Sequence, residues 1–237
     1  MNYGLLLSGG IGSRIGANMP KQYVKAGGHM MVSYALMPLL KCESIDKVYI
    51  VSEEVWRDDI VADVRLIGLD ETKIAGFAFP GESRQSSILN GMEAMLEGAE
   101  GNDFTEDDTV LVHDGARPFL TEDMLNNCYN ALLGHDGVMP VLPMKDTVYE
   151  SADGRSVTKL LEREKIYAGQ APELFRLRKY YEANKDLVPL KINEVNGATE
   201  PAIMKGMDVT MIMGDESNYK VTTKEDMNRF IRLKEGE

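Results

Sequence analysis

The segment that most constrains this chain runs from Leu5 to Tyr23 and reads LLLSGGIGSRIGANMPKQY. Its apolar start predicts a first buried strand, and the glycines at positions 9, 10, 12 and 16 predict that a loop follows. Glycine lets the backbone turn sharply and bring its N–H groups close to an anion, while Arg14 and Lys21 add fixed positive charge. The segment therefore predicts a strand followed by a loop that cradles a triphosphate.

Two other glycine-rich loops do not match this segment. A P-loop requires Gly-Lys followed by Ser or Thr, and that tripeptide is absent from the chain. A dinucleotide-binding loop requires G-x-G-x-x-G, but Ile15 stands where the third glycine should be. A tight strand-to-helix turn without a ligand is the alternative interpretation of the glycines taken alone.

Bulk properties exclude several classes of protein. The chain has 237 residues, 43% of them hydrophobic, which is enough for one substantial α/β domain. A net charge of −12 argues against a nucleic-acid partner, because such binding relies on broad basic surfaces. No apolar run is long enough for a membrane span, no signal peptide is recognisable, and Cys42 and Cys128 lack metal-site spacing. We expect a soluble cytoplasmic protein with buried, reduced cysteines.

Strand-like and helix-like segments alternate along the chain, which predicts an α/β fold with a mostly parallel sheet covered by helices. The predicted strands are Tyr3–Ser8, Lys47–Ser52, Ile74–Phe79, Thr109–His113, Gly137–Leu142 and Asp208–Met213. The predicted helices are Met30–Lys41, Arg84–Glu97, Glu122–Leu133, Arg176–Lys185 and Lys224–Leu233. Without a repeat or a linker, residues 1–237 are expected to form a single domain.

One segment, about residues 145–163, interrupts this alternation. It holds two short β-prone runs around Asp153-Gly154, a strong signal for a hairpin turn. We expect a β-arm that protrudes from the main sheet and pairs with a second subunit, and a short surface hairpin without a partner is the alternative.

Further polar clusters follow apolar segments. Pro80–Gly91, PGESRQSSILNG, is a glycine turn that opens a helix with serine caps. Val112–Phe119, VHDGARPF, lies where a buried strand ends, at the sheet edge where ligands bind in open α/β sheets. His113 within it is expected to be structural. Three later loops are PMKDT at 143–147, GQAPELF at 169–175 and GDESNYKVTT at 214–223.

Taken in order, these motifs resemble the signature set of the cytidylyltransferases that activate methylerythritol phosphate or ribitol phosphate, over Tyr3 to Phe230. The resemblance implies a Rossmann-like nucleotidyltransferase domain with a protruding β-arm that builds a homodimer. It implies that CTP and a small polyol phosphate react, with Mg²⁺ held mainly by the phosphates rather than by the protein, to give a CDP-polyol and pyrophosphate.

The resemblance also implies roles for individual residues. The implied catalytic cations at the reacting phosphates are Arg14, Lys21 and Lys220. The implied nucleotide-binding residues, with the cytosine on the second turn and the ribose near Asp114, are Leu7, Ser8, Gly9, Gly10, Gly12, Ser13, Gly81, Arg84, Ser87 and Asp114. The implied acceptor-binding residues, some reached from the neighbouring subunit, are Arg117, Thr147 and Arg163.

Two places depart from the family pattern, both on the acceptor side. Ala171-Pro172-Glu173 replaces Thr-Pro-Gln, which removes a hydroxyl expected near the acceptor phosphate. Residues 194–200, EVNGATE, replace a loop that grips the polyol. Such changes bear on which polyol phosphate is used. The Gly9-Gly10 pair favours ribitol 5-phosphate, with 2-C-methyl-D-erythritol 4-phosphate as the alternative.

Three other functions fit the sequence less well. A nucleotidyltransferase for another base is disfavoured by the Arg84 and Ser87 turn. A nucleotide-binding protein without turnover is disfavoured because five matching cations would have no physical use in an inactive site. A nicotinamide-dependent oxidoreductase is disfavoured by the failed dinucleotide motif.

Overall fold

An eight-stranded sheet with helices on both faces lies at the centre of the computed structural model, which describes residues 1–10, 19–99, 103–189 and 191–236. The strands are β1 (Asn2–Leu7), β2 (Lys25–Ala26), β3 (His29–Met30), β4 (Lys47–Val51), β5 (Ile74–Ala78), β6 (Thr109–Asp114), β7 (Gly137–Pro143), β8 (Tyr149–Glu150), β9 (Lys159–Leu160), β10 (Tyr167–Gly169), β11 (Glu173–Arg176) and β12 (Val209–Met213). The α-helices are α1 (Met31–Lys41), α2 (Arg57–Ile67), α3 (Arg84–Glu97), α4 (Glu122–Ala131), α5 (Leu177–Lys185), α6 (Glu200–Met204) and α7 (Lys224–Glu235). No helix in the described ranges is both long and apolar enough to cross a bilayer.

The sheet order is β10-β7-β11-β6-β1-β4-β5, with β12 along the other edge of β7. β1 pairs in parallel with both β4 and β6, so the strand order reverses direction around it. β4 and β5 are parallel, as are β7 and β12, whereas β10 and β11 run antiparallel to their neighbours. The predicted α/β fold with a mostly parallel sheet is confirmed.

Each face of the sheet carries its own apolar core, because successive side chains of a strand point to opposite faces. Leu6 of β1 faces α1, α2 and α4, while Tyr3 and Leu5 face α3 and α5. Gly91 lets α3 approach β1 closely, since an added Cβ would stand 2.5 Å from a methyl carbon of Leu5. Both faces are thereby excluded from water, as parallel sheets require.

A smaller cluster attaches the C-terminal helix to one end of the sheet. Met227 and Phe230 of α7 pack with Met31, Ala116 and Val221. Thr223 caps α7 through a reciprocal pair of hydrogen bonds with Asp226. The helix therefore fixes residues 220–222 beside the carboxyl end of β6.

Strands β8 and β9 form a separate two-stranded hairpin outside the main sheet. Gly154 adopts a positive φ of 68° at its tip, a conformation that glycine tolerates. Asp153 accepts backbone hydrogen bonds from Arg155 and Ser156, which fixes the turn. Tyr149 and Leu160 are exposed on this hairpin. The protruding β-arm predicted around Asp153-Gly154 is present.

Strands β10 and β11 were not predicted. β11 lies between β6 and β7 and pairs antiparallel with both, although it has only four residues and is charged at each end. The predicted helix boundary at residue 176 is correct to one residue, since α5 begins at Leu177. Helix α2 was also missed.

Candidate active site

A cleft of about 700 Å³ opens at the carboxyl ends of β1, β4 and β6. Leu7 at the end of β1 is in register with Val51 of β4 and Asp114 of β6, so the three strands end together. This is the point where the strand order reverses, and open α/β sheets bind their ligands there. The residues that line the cleft are Leu7, Ser8, Gly9, Gly10, Lys21, Gln22, Glu53, Pro80, Gly81, Glu82, Ser83, Arg84, Ser87, Asp114, Ala116, Lys220 and Thr222.

The start of the glycine loop is held from below by two side chains. Gln22 Nε2 donates to the carbonyl oxygens of Ser8 and Gly10, at 2.6 Å each. Tyr23 donates its hydroxyl to the Ser8 carbonyl at 2.8 Å. At Gly9 any side chain would collide with Pro80, since an added Cβ would lie 2.4 Å from its ring. The backbone is therefore fixed at the floor of the cleft.

The opposite wall of the cleft is the N-terminus of α3. Ser83 caps this helix in a reciprocal arrangement with Ser86, and the Ser87 hydroxyl accepts a hydrogen bond from the Gly81 N–H at 3.0 Å. An added Cβ on Gly81 would lie 2.3 Å from the Ser86 hydroxyl oxygen. A helix N-terminus presents unpaired N–H groups and a positive dipole end, which favour an anionic or hydrogen-bond-accepting ligand.

Asp114 gathers three cations at the back of the cleft. Arg84 Nε donates to its Oδ1 at 3.1 Å, and Lys220 Nζ lies 3.0 Å from its Oδ2. Arg117 Nε lies 3.6 Å from the same Oδ2. Arg84 also contacts a second carboxylate, Glu173, whose Oε2 is 3.3 Å from Arg84 Nη2. The cluster carries three cations against two carboxyl groups, which suits a polyanionic ligand.

The two carboxyl groups respond to this setting in opposite directions. Burial acts to raise the pKa of Asp114, but the charges of Arg84, Lys220 and Arg117 outweigh it and hold that pKa well below its usual range. For Glu173, burial raises the pKa, and the attraction of Arg84 does not fully offset it. Asp114 is thus the carboxyl group of the cluster that ionises readily, while the ionisation of Glu173 is disfavoured.

Lys21 and Lys220 converge on the cleft from two distant parts of the chain. Lys21 Nζ donates to the carbonyl oxygen of Val221 at 2.7 Å. Because Val221 follows Lys220 and packs against α7, this bond ties the end of the glycine-rich segment to the C-terminal helix. Both ammonium groups line the cleft.

The side chain of His113 lies outside the cleft. It is fully buried, its Nε2 lies 3.1 Å from the carbonyl oxygen of Arg117, and burial lowers its pKa to about 4. A neutral imidazole therefore donates this hydrogen bond at neutral pH and shapes the loop after β6. The expected structural role of this histidine agrees with these contacts.

The structure brings ten of the expected site residues to the cleft lining: Leu7, Ser8, Gly9, Gly10, Lys21, Gly81, Arg84, Ser87, Asp114 and Lys220. Arg117 lies behind them and donates from Nη1 to the Asn218 carbonyl oxygen at 2.8 Å. Thr147 and Arg163 are exposed near the base of the arm, outside the lining, and Arg163 donates to the Lys145 carbonyl oxygen. Gly12, Ser13 and Arg14 lie outside the described residues.

Several residues at the site were not predicted. Gln22 is one of them, because the hydrogen bonds that its side-chain amide donates to the loop carbonyl groups depend on the folded backbone. Glu53 had a signal in the sequence, because it directly follows the strand predicted at Lys47–Ser52, which is β4 beside β1. Glu173 had a signal as well, since a carboxyl group between the apolar runs of APELF is unusual in a buried strand.

The described residues do not form a protein ligand set for a divalent metal. No group of three His, Cys, Asp or Glu side chains within those ranges is arranged to hold one. Asp114, the carboxylate deepest in the cleft, already has its oxygens engaged by Arg84, Lys220 and Arg117.

Comparisons with known proteins agree on one family. The family model described as 2-C-methyl-D-erythritol 4-phosphate cytidylyltransferase (IspD) matches residues 4–231. A protein of that name from Geobacter metallireducens is 31% identical, over 98% of each chain. A ribitol-5-phosphate cytidylyltransferase from Streptococcus agalactiae is 27% identical over 98% of this chain and 95% of its own. The solved structure of 4-diphosphocytidyl-2C-methyl-D-erythritol synthase from Anaerococcus prevotii shares the fold, with a TM-score of 0.79, 22% identity and coverage of 98% and 95%.

Proposed function

Because the chain belongs to the IspD family of cytidylyltransferases, we propose that it transfers CMP from CTP to the phosphate of a small polyol, giving a CDP-polyol and pyrophosphate. The observation that carries this proposal is the cleft itself. Lys21, Lys220 and the N-terminus of α3 all line it, at the carboxyl ends of parallel strands. A site so rich in cations and free N–H groups suits a nucleoside triphosphate.

The proposed reaction needs no general base from the protein. A phosphate oxygen of the acceptor, already ionised at neutral pH, attacks the α-phosphorus of CTP in line. The new P–O bond forms as the bond from the α-phosphorus to the bridging oxygen of the β-phosphate breaks, and the electron pair leaves with pyrophosphate. The barrier comes from bringing two anions together, so positioning and charge stabilisation are what the protein must supply.

Lys21 and Lys220 are the described cations suited to this task. Both residues line the cleft, one after the glycine loop and one before α7, and they meet where Lys21 Nζ donates to the carbonyl oxygen of Val221. We propose that they neutralise charge on the α-phosphoryl group and on the leaving pyrophosphate, with Arg14 as a third cation of the same kind. Asp114 keeps Lys220 oriented through their 3.0 Å ion pair.

The turn before α3 is proposed to read the base. The hydrogen bond from the Gly81 N–H to the Ser87 hydroxyl fixes this turn, and Arg84 in the first turn of α3 pairs with Asp114. Polar groups fixed by a helix cap discriminate between bases strongly, because a wrong base leaves them unpaired. Selectivity for CTP over other triphosphates is therefore expected to depend on this turn.

Mg²⁺ is part of the proposal as a companion of the nucleotide. Magnesium in such sites is held chiefly by substrate phosphates, where it neutralises phosphate charge. The described carboxylates offer the ion no ready-made protein site.

Two acceptors are candidates, each supported by a specific observation. The matching family model and the 31% identical relative both carry the name of 2-C-methyl-D-erythritol 4-phosphate, the first candidate. The Gly9-Gly10 pair, together with the 27% identical relative, supports ribitol 5-phosphate as the second. The departures at Ala171 and residues 194–200 bear on this choice.

The β-arm is proposed to join two copies of the chain. It projects from the main sheet and exposes Tyr149, Val157 and Leu160, which are apolar side chains that a partner could cover. Pairing through the arm would bring Thr147 and Arg163 of one copy toward the cleft of the other. We further propose that the homodimer acts in the cytoplasm, where CTP is available.

Pyrophosphate release is the direct test of the proposed function. CTP, UTP, GTP and ATP are each combined with 2-C-methyl-D-erythritol 4-phosphate, ribitol 5-phosphate and several sugar phosphates, in the presence of Mg²⁺. Release with CTP and one polyol phosphate is the expected result and identifies the acceptor. Release with a different triphosphate, or CTP binding without any release, would overturn the proposal.

A further inference from the structure

Glu173 occupies the place where the two departures from the family pattern meet. It belongs to Ala171-Pro172-Glu173, and its Oε1 accepts a hydrogen bond from the hydroxyl of Thr199, in the 194–200 segment, at 3.0 Å. Its Oε2 lies 3.3 Å from Arg84 Nη2. One carboxyl group therefore joins a residue on the acceptor side to a residue that lines the nucleotide cleft.

All three members of this chain of contacts are held firmly. Glu173 and Thr199 are 8% and 6% exposed, and neither lines the cleft. Arg84 is fixed on its other side by Asp114 at 3.1 Å. A buried carboxylate must have its oxygens satisfied, because an unpaired charge is very costly in such surroundings. Thr199 and Arg84 satisfy one oxygen each.

The charged and titratable groups that face Glu173 come from four elements. Arg84 on α3 and Arg117 after β6 are positive, Asp114 on β6 is negative, and Tyr180 on α5 is a buried phenol. Of these, Arg84 alone contacts the Glu173 carboxyl group as an ion pair among the described residues. The position of the Arg84 guanidinium thus depends on Asp114 and Glu173 together.

We propose that Glu173 is a positioning residue that links Thr199 to Arg84, and so couples the 194–200 segment to the nucleotide site. The inference rests on the proposed function, because it takes CTP as the ligand of the cleft. Loss of either contact lets the guanidinium of Arg84 move away from the orientation that the turn at Gly81 and Ser87 requires. The coupling acts on nucleotide affinity rather than on the chemical step.

The experiment measures CTP binding by calorimetry, and kcat and KM by pyrophosphate release, on four variants. Glu173→Leu removes both contacts, Glu173→Gln keeps the shape and one acceptor oxygen, and Thr199→Val removes the hydroxyl alone. The fourth variant combines Glu173→Leu with Thr199→Val. Asp63→Asn is the matched control. Asp63 is also a buried carboxylate, it accepts hydrogen bonds from the His29 ring and the Met30 N–H, and it lies outside the cleft lining.

The expected result is a loss of affinity with a characteristic pattern. Glu173→Leu weakens CTP binding about tenfold, the size expected for a lost charge-assisted hydrogen bond, with kcat within about twofold. Thr199→Val weakens it about threefold, and Glu173→Gln restores most of the affinity. The double variant is no weaker than Glu173→Leu alone, because both changes break one path. Asp63→Asn lowers the melting temperature and leaves CTP affinity unchanged.

The outcomes separate this inference from the proposed function. Full CTP affinity in Thr199→Val, or effects of Thr199→Val and Glu173→Leu that add in the double variant, would overturn the coupling while the wild type still releases pyrophosphate. The variants could follow the expected pattern of CTP affinities while the wild type releases no pyrophosphate. That result would support the coupling and overturn only the catalytic proposal. A wild type that does not bind CTP would overturn both.

Discussion

The side-chain amide of Gln22 lies 2.6 Å from the carbonyl oxygen of Gly10, and the same nitrogen lies 2.6 Å from that of Ser8. Two carbonyl groups two residues apart are thus drawn to one side of the loop backbone. The glycine loop is shaped by a side chain twelve residues further along, not only by its glycines.

Replacing Gln22 with leucine should therefore weaken nucleotide binding. Both hydrogen bonds from the Gln22 amide are lost, which leaves the Gly10 carbonyl without this partner and the Ser8 carbonyl with Tyr23 alone, so we expect the KM for CTP to rise about tenfold. Steady-state kinetics at fixed acceptor concentration measure this. Lys73→Met is the control, because Lys73 also donates to a backbone carbonyl, that of Cys42, but lies outside the cleft lining. Equal kinetics for the two variants would contradict the assigned role of Gln22.

Gly81→Ala should chiefly reduce the affinity for CTP, with a smaller effect on the free energy of unfolding. The new Cβ would lie 2.3 Å from the Ser86 hydroxyl oxygen and 2.8 Å from the Ser86 carbonyl carbon, which is backbone and cannot rotate away. The turn must open, and we expect affinity for CTP to fall about a hundredfold. Gly91→Ala is the matched control, since its Cβ collides with Leu5 in the core instead. That variant should lower the melting temperature with CTP affinity intact.

Asp114→Asn should destabilise the protein in a pH-dependent way. The folded-state pKa of Asp114 lies below its unfolded value, so this carboxylate stabilises the fold above about pH 4 and loses that contribution as the pH falls further. At pH 7 the substitution removes the carboxylate that pairs with Lys220 and Arg117 and one of the two that pair with Arg84, and we expect a loss of about 3 kcal/mol in the free energy of unfolding. Chemical denaturation at pH 7 and at pH 3 measures it. A difference from wild type that does not shrink at pH 3 would contradict the prediction.

Glu173→Gln should show the opposite dependence. The pKa of Glu173 is raised in the folded state, chiefly by burial, so its ionisation costs stability as the pH rises. Glutamine avoids that cost. The melting temperature of the variant relative to wild type should rise as the pH is raised from about 4, where an unfolded glutamate ionises, toward pH 8, by about 3 °C if the cost is near 1 kcal/mol. Thermal melts across this range test the sign, and a relative melting temperature that falls with pH would contradict it.

Replacing both Tyr149 and Leu160 with serine should disrupt the proposed dimer. These side chains lie opposite each other on the arm and are 56% and 61% exposed in one chain. If a partner covers them, their loss should shift the protein to monomer at micromolar concentration and reduce kcat/KM for the acceptor about tenfold or more. Sedimentation velocity gives the oligomeric state. Leu66→Ser, on the exposed face of α2, should change neither quantity.

The sequence predicts a strand or a site residue correctly where the local pattern of residues also determines its place in the fold. Leu5–Leu7 predicts a buried strand because three apolar residues precede a glycine loop, and β1 is indeed central. The cleft residues Lys21, Arg84, Asp114 and Lys220 were all expected at the nucleotide site, and they converge although they come from four separate segments. Motifs at strand ends can be predicted in this way because parallel strands bring their carboxyl ends together.

What the sequence did not reveal depends on contacts between distant segments. β11 is short and begins with the charged Glu173, so its pattern gives no sign of a central strand, and its place is set by pairing with β6 and β7. The link from Thr199 to Glu173 spans 26 residues and requires the fold to be known. The departures at these two positions looked independent in the sequence, whereas the structure shows them in contact.

The position of β11 also has a consequence for how the chain is made. β6 and β7 follow each other in the chain, yet the strand between them is not synthesised until residue 176. Until that point a nascent chain carries two strands whose facing edges have no partner, and unpaired edges invite contact with other chains. A premature stop before Glu173 would leave this gap permanently open. Such a fragment should require chaperone protection, whereas a chain that reaches Arg176 can close its own sheet.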